Sequence, residues 1–582
     1  LMPQLPEKIS IGEQSTKDLR NRHTIIWRDF HNGNGLRDIR DLEEDADYAF
    51  WSYAGIRAEG HTVLPPLDTI TAVVSGTPPT SCSTLSYLGT TVYGTFNGTD
   101  VRAYNNSTDS WGSSLDTLPA AATHAINVRM GGTEYMIFAT TGGYTYTSDG
   151  SVFTDDTQDT EFLAYWDNRL WGISNGGQLW YAAVIGTEIL DAQLPLPNDS
   201  VQGLFRGRST QAGRLVLYAA TTRGLYIHDA DSNSFELVDP EIPIHQDNGL
   251  GHVRFLESTF YSAGLGIYKF TNAPSQAEIS VMGLDRKGGL IADHIGTIEE
   301  LGASHNDVLA MVSTTSNEAG IYAWRDESWM TLWDSEATGT AIDTMLVSTA
   351  YSVYRLWFSY GGRIHWIALD RDVTNPLELS TYAYNVAGEV ITPWLNGREI
   401  SDDKLALQLF VHAHSATSTE TIQVFYEIND SGSFVSLGTI SASGVTTYTL
   451  GATVGEGIAF RNIRFRFVFA RGGTNTNTPD MGQIEFHWIR PGGAAGTKWR
   501  HSFTVEWDGT DYFGRYPQAQ FDELVNAADS TLLMDFTCRA VATDDDSESN
   551  PYNYYVKVIS CRILQSTGDD WRGTVQMVVE EV

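Results

Sequence analysis

The chain has 582 residues, enough for three or four domains, each with a core of its own. A 42% hydrophobic content with only 19% charged residues excludes a disordered chain. Asp and Glu number 72 against 37 Lys and Arg, a formal charge of −35 that repels phosphate backbones and excludes nucleic acid as an expected partner.

An aromatic share of 12% and 54 glycines favour a mainly β protein rich in tight turns. Three cysteines cannot build a disulfide framework. Cys82 stands alone, while Cys538 and Cys561 fall on strand-like runs and leave a bridge open. No apolar run is long enough to cross a membrane as a helix, and no charged-then-apolar segment opens the chain. Neither membrane insertion nor a signal peptide is expected.

Residues 1–67 read as an arm with little core of its own. Residues 24–30 give one strand, followed by the turn signal Asn32-Gly33-Asn34-Gly35. The acidic run 41–47 matches no Ca²⁺ loop and reads as a solvated face. Pro65-Pro66 closes the arm.

From 68 to 376 one phrase returns seven times: glycine, an aliphatic residue, an aromatic one. Clear copies are Gly224-Leu225-Tyr226, Gly266-Ile267-Tyr268 and Gly320-Ile321-Tyr322; looser ones end at Tyr104, Tyr146, Trp180 and Trp366. The aromatics lie 42, 34, 46, 42, 54 and 44 residues apart, each after an apolar run and a turn. Such a period predicts a β-propeller of seven blades. The apolar runs, such as 214–219, are expected to bury one face between blades, the glycine to make the turn into the third strand, and the aromatic to pack between blades. Two turns resemble ligand loops without matching them. Ser148-Asp149-Gly150 lacks one residue of an Asp box, and the run from Asp229 lacks the glycine and the glutamate of a Ca²⁺ loop.

Residues 377–490 change pattern. Leu405, Leu407 and Leu409 alternate with Ala406, Gln408 and Phe410, and Phe465, Phe467 and Phe469 alternate with Arg464, Arg466 and Val468. Runs 422–428 and 434–438 flank the hairpin signal Asn429-Asp430-Ser431-Gly432. A jelly-roll β-sandwich is the expected form. After the linker 491–496, residues 497–582 read as a small α+β docking domain. It has strands at 499–507, 532–538, 554–564 and 573–582, and a helix at 517–529.

The sequence carries no nucleophile elbow, phosphate loop, His-Glu-x-x-His or Cys-x-x-Cys, so neither enzymatic activity nor a cofactor or metal is expected. His412 and His414 alternate on one strand, which reads as a polar face rather than a metal site. Trp324, Trp329 and Trp333 are the candidate surface-binding aromatics, with packing between blades as the competing role.

The hairpin 425–439, built as strand, Asp430-Ser431-Gly432, strand, Leu437-Gly438-Thr439, resembles sandwich modules of tail and baseplate proteins. The ending 571–582, which opens Trp571-Arg572-Gly573-Thr574, resembles the last strand of small tail-associated domains. With the order of parts, these features resemble tailed-bacteriophage virion structural proteins. The resemblance implies a tail, baseplate or neck component made in the host cytoplasm and docked on other virion proteins. It also implies a homo-oligomer, ring or trimer, and contact with a host-surface glycan. A glycan-binding adhesin, or a propeller glycoside hydrolase with an accessory sandwich, are the alternatives.

Overall fold

In the computed structural model, residues 81–489 are described with interruptions at 195–199, 209–214, 230–231, 239–241, 243, 265, 273–276, 282–295, 315–317, 326–327, 353, 370–383, 397–402, 452–456, 475. Outside that span the described residues are strand segments: 10–11, 22–27, 39–40, 52–54, 57–59, 62–64 and 71–72 before it, and 500–507, 534–538, 552–567 and 572–581 after it. Among the described residues every element is a β-strand except one 3₁₀ turn, Ala350–Ser352.

Seven small antiparallel sheets succeed one another, the first of five strands and the other six of four; the consecutive strands of each form a meander, and we number the sheets 1–7. Their first strands are Cys82–Leu88, Ala122–Met130, Phe162–Trp166, Val201–Arg208, His252–Phe255, Thr297–Ala303 and Ile342–Ser348. Each of these neighbours the first strand of the next sheet, and that of sheet 7 returns to that of sheet 1, so the sheets form a closed, propeller-like ring. The fourth strand of sheet 7 comes from the start of the propeller segment, just after the arm: Thr71 and Ala72 pair with Trp366 and His365.

The sequence repeat maps onto this ring in one register. All seven repeated aromatics lie on third strands. They fill the seams between sheets: Trp180 stacks on Tyr144 of sheet 2 at 5.5 Å, and Tyr104 meets Trp357 of sheet 7 at 4.8 Å. Two details differ from expectation. The second strands, such as Leu215–Thr221 and Val308–Ser313, are buried along nearly their whole length rather than on one face. A neighbouring sheet covers each side, which is why these runs are continuously apolar. Gly320 lies inside the strand Glu318–Arg325, not in a turn; a Cβ there would sit 2.6 Å from the Tyr322 hydroxyl, so the glycine clears space for the ring.

Beyond the ring, two sheets face each other across one core that includes Leu409, Val411, Phe465, Phe467, Phe469, Ile484 and Phe486. One sheet centres on Lys404–His414 and Asp480–Ile489, the other on Thr421–Ile428 and Ile463–Ala470. The phenylalanine alternation holds throughout Ile463–Ala470, whereas the leucine alternation does not. A bulge between Ala406 and Gln408 shifts the parity of the strand, so Leu409 points inward while Leu405 and Leu407 are only half-buried.

The arm supplies strands to these sheets. Arg22–Trp27 pairs along Asp480–Ile489, with Trp27 in the core; Ser52–Ala54 pairs with Ala387–Ile391, and Ile39–Arg40 runs parallel to Trp394–Leu395. Ser10–Ile11 adds a fifth strand to the C-terminal sheet of Arg500–Trp507, Arg572–Glu581, Tyr552–Thr567 and Met534–Cys538. All four C-terminal strands expected there are present, and the described part of that unit is a β-sheet. The expected helix 517–529 and the acidic run 41–47 lie outside the described residues. Cys538 stands opposite Tyr552 and Cys561 opposite Met577, so the two cysteines do not face each other in the ladder.

Candidate functional site

The first strands of the ring carry a shared irregularity. In sheets 1, 2, 4, 6 and 7 the pairing with the second strand slips near its start. The slips lie between Cys82 and Thr84, Ala122 and His124, Val201 and Gly203, Ile298 and Glu300, and Ile342 and Met345. The bulged residues are Ser83, Thr123, Gln202, Glu299 and the pair Asp343 and Thr344, all polar. A bulge frees a residue from the ladder and re-aims its side chain. Sheet 3 has Glu161 just before its first strand, and sheet 5 begins that strand with His252.

These groups act on one another electrostatically. Burial, then Asp247 and Asp343, pushes Glu299 up to about 7. Burial likewise raises Asp343 and Glu161, the latter helped by Asp159. Glu300 is pushed up to about 8 by burial at the seam of sheets 6 and 7, where its Oε2 accepts the Met345 amide at 2.6 Å. Burial pulls His124 down to about 4. It pulls His252 down to about 3, with His124 adding to the effect from the other side of the ring. The Leu163 amide donates to His124 Nδ1 at 3.2 Å, which leaves the proton on Nε2. His252 is held flat on Phe205, centroids 4.2 Å apart.

The openings of the seven first strands, the ring mouth, therefore carry imidazoles that are uncharged near neutral pH beside carboxyls raised by burial. Cys82, next to it, is buried and its thiol is pushed well up, which makes it a poor nucleophile. Among the described residues no group of three or more His, Cys, Asp or Glu side chains could hold a metal ion.

The tryptophans singled out from the sequence lie elsewhere. Trp329 and Trp333 are buried, each 2% exposed, and fill seams of sheet 6 with its neighbours. Burial removes both from surface contact as they stand. Trp324 is half-buried, with Lys269 Nζ 4.8 Å from its ring centre and Phe260 packed against it. The mouth residues escaped the sequence reading because no motif joins them. Their only shared signal is a polar residue interrupting the opening of each first strand.

No protein-family model matches the chain, and no curated protein matches its sequence. Among solved structures, the extracellular domain of a hybrid two-component system from B. thetaiotaomicron aligns over 61% of this chain at 14% identity, with a TM-score of 0.40. This chain spans 45% of that one, less than half its length. A chain of the Mitotic Checkpoint Complex aligns over 52% of this chain and 95% of its own at 12% identity and a TM-score of 0.38. The computationally designed protein Ika8 aligns over 57% and 99% at 12% identity and 0.35. None of these assigns a function.

Proposed function

We propose that this chain is a structural component of a tailed-phage virion, in the tail, baseplate or neck. In this reading the ring is a seven-bladed β-propeller, the facing sheets are a jelly-roll sandwich, and the C-terminal unit docks on the particle. The observation that carries the reading is the path of the arm. Its strands join the C-terminal sheet first, then both sheets of the sandwich, and the chain just beyond it, Thr71–Ala72, joins the last sheet of the ring. Main-chain pairing at each level ties the units to one segment, which suits a stiff spacer in a particle better than an enzyme with a tethered accessory module. A charge of −35 keeps free copies apart and leaves association to partners of complementary charge. Gold-labelled antibody against the chain, imaged on particles sedimented from the source culture, tests this. Label at one fixed place on phage-like particles is the expected result; label confined to the soluble fraction overturns it.

The ring mouth favours a second reading, a glycan-binding surface. Uncharged imidazoles beside carboxyls raised by burial suit sugar hydroxyls, which both donate and accept. A glycan array probed with the wild-type chain and with His124→Ala distinguishes the two readings. Affinity present in the wild type and lost in the variant supports the second.

A further inference from the structure

The outer face of the sandwich sheet holds a more constrained arrangement than the ring mouth. His412 and His414 lie on Lys404–His414, whose partner strand carries a bulge at Gly482: His412 stands opposite Gln483, Ala413 opposite Met481, and His414 opposite Asp480. The extra residue lets Asp480 and Gln483 address the same side of the sheet despite their odd spacing. Asp480 is 2% exposed, yet its Oδ2 lies 3.0 Å from His414 Nδ1. Since a carboxylate only accepts, His414 carries its proton on Nδ1 and turns the Nε2 lone pair away from Asp480. Gly482 makes the seat: a Cβ there would come within 2.7 Å of His414 Cε1 and push the imidazole off the carboxylate. The His412 ring stands edge-on to that of His414 with centroids 4.3 Å apart, and the His414 side chain is 45% exposed.

A buried carboxylate that fixes one tautomer of an exposed histidine is the outer-shell arrangement of imidazole–metal sites. Two imidazoles this close can share one ion, with metal–nitrogen bonds of about 2.0–2.1 Å. Imidazole ligands select Zn²⁺, Ni²⁺ or Cu²⁺ over Ca²⁺ or Mg²⁺, which prefer oxygen. The geometry points to an open two-imidazole site for a divalent transition metal at His412 and His414, oriented by Asp480. With two protein ligands the ion keeps coordination positions for water or for a donor from a second molecule, so the site suits a bridging contact.

The test is Zn²⁺ titration of the full chain by calorimetry at pH 7.5, wild type against His412→Ala, His414→Ala and Asp480→Asn. One Zn²⁺ equivalent present in the wild type should disappear in either histidine variant. It should weaken about 10–100-fold in Asp480→Asn. His412 is only half-buried and lies on the face of its strand opposite the buried Val411 and Ala413, so its variant should fold and remain informative even if Asp480→Asn does not. His487→Ala, which removes the neighbouring His487–Glu485 contact, serves as the control and should leave the equivalent intact. Undiminished Zn²⁺ binding in both His412→Ala and His414→Ala, or none in the wild type, overturns the assignment.

Discussion

Gly150 is a residue whose identity is dictated by its neighbour. Its φ is +71°, in the region that favours glycine, and an added Cβ would meet the Tyr93 hydroxyl at 2.1 Å across the seam between sheets 2 and 1. The turn around it is held by Asp149, whose Oδ1 accepts the Ser151 and Val152 amides at 2.8 and 2.9 Å and is kept down to about 2 by them. Gly150→Ala should lower stability in urea unfolding by about 2–3 kcal/mol, from backbone strain plus overpacking. Tyr93→Phe in the same chain should recover part of that loss by removing the clashing oxygen. Only an imperfect Asp box is legible here; the seam contact that makes the glycine necessary is non-local. Glu300 sets a pH dependence at the same scale. Its folded-state value, about 8, lies above that of a free glutamate, so the folded protein holds a proton that the unfolded chain releases. The associated stability is complete below about 4.5 and is lost as pH rises through 8. His124 and His252 act oppositely, costing stability only as pH falls below about 6.5. Between pH 6.5 and 8 the carboxyls act unopposed by these histidines. The melting temperature should fall across that window, and Glu300→Gln, which keeps an acceptor for the Met345 amide, should flatten the fall. At pH 8 the variant should be the more stable protein by on the order of 2 kcal/mol.

At the scale of elements, the hairpin Thr421–Ile428 and Val435–Ile440 depends on one buried carboxylate. Glu427 is 2% exposed; its Oε1 accepts the Gly432 amide at 2.7 Å, closing the turn, and its Oε2 pairs with Arg464 Nη2 at 2.6 Å on the next strand. Arg464 in turn lies over Trp394, 4.4 Å from the ring centre, so turn, strand and the edge beyond are joined through one side chain. Glu427→Ala leaves a guanidinium and an amide without their partner, and should cost about 3 kcal/mol by chemical denaturation. The control Glu389→Ala removes the Arg466 pair, which is more exposed and should cost clearly less. The hairpin itself was legible: a turn signal between two alternating runs suffices to register two strands. The bulges were not. One extra residue at Leu407, Gly482 or Glu299 looks like noise in a hydrophobic pattern, yet it reverses which face every later side chain addresses. Bulges built both the ring mouth and the His412–His414 seat, so the sites were the part of the molecule least readable from periodicity.

For the whole molecule, the ring was readable because its repeat is local: each third-strand aromatic follows its own second strand within a few residues. The arm was not, because its strands have no period of their own and, apart from the short pairing of Arg57–Glu59 with Thr62–Leu64, take their partners from sheets hundreds of residues later. Reading residues 1–67 as an appendage missed that they add strands to two other units, the sandwich and the C-terminal sheet. This has a measurable consequence. Trp27 is 2% exposed and sits with Phe460, Phe486 and Trp488 in the sandwich core, on a strand that pairs with Asp480–Ile489 from Arg22 to Trp27. Trp27→Ala should cost about 3–5 kcal/mol, as for other buried tryptophans. The cost should fall on the sandwich. In calorimetry of the full chain, the transition that moves should be the one that also moves with Phe467→Ala, a residue of the same core. Tyr322→Ala, deep in the ring between sheets 5 and 6, should move a different one. If Trp27→Ala shifts neither transition, the arm is an independent appendage and the case for a single braced scaffold fails. If all three variants shift one common transition, the bracing is strong enough that ring and sandwich unfold together.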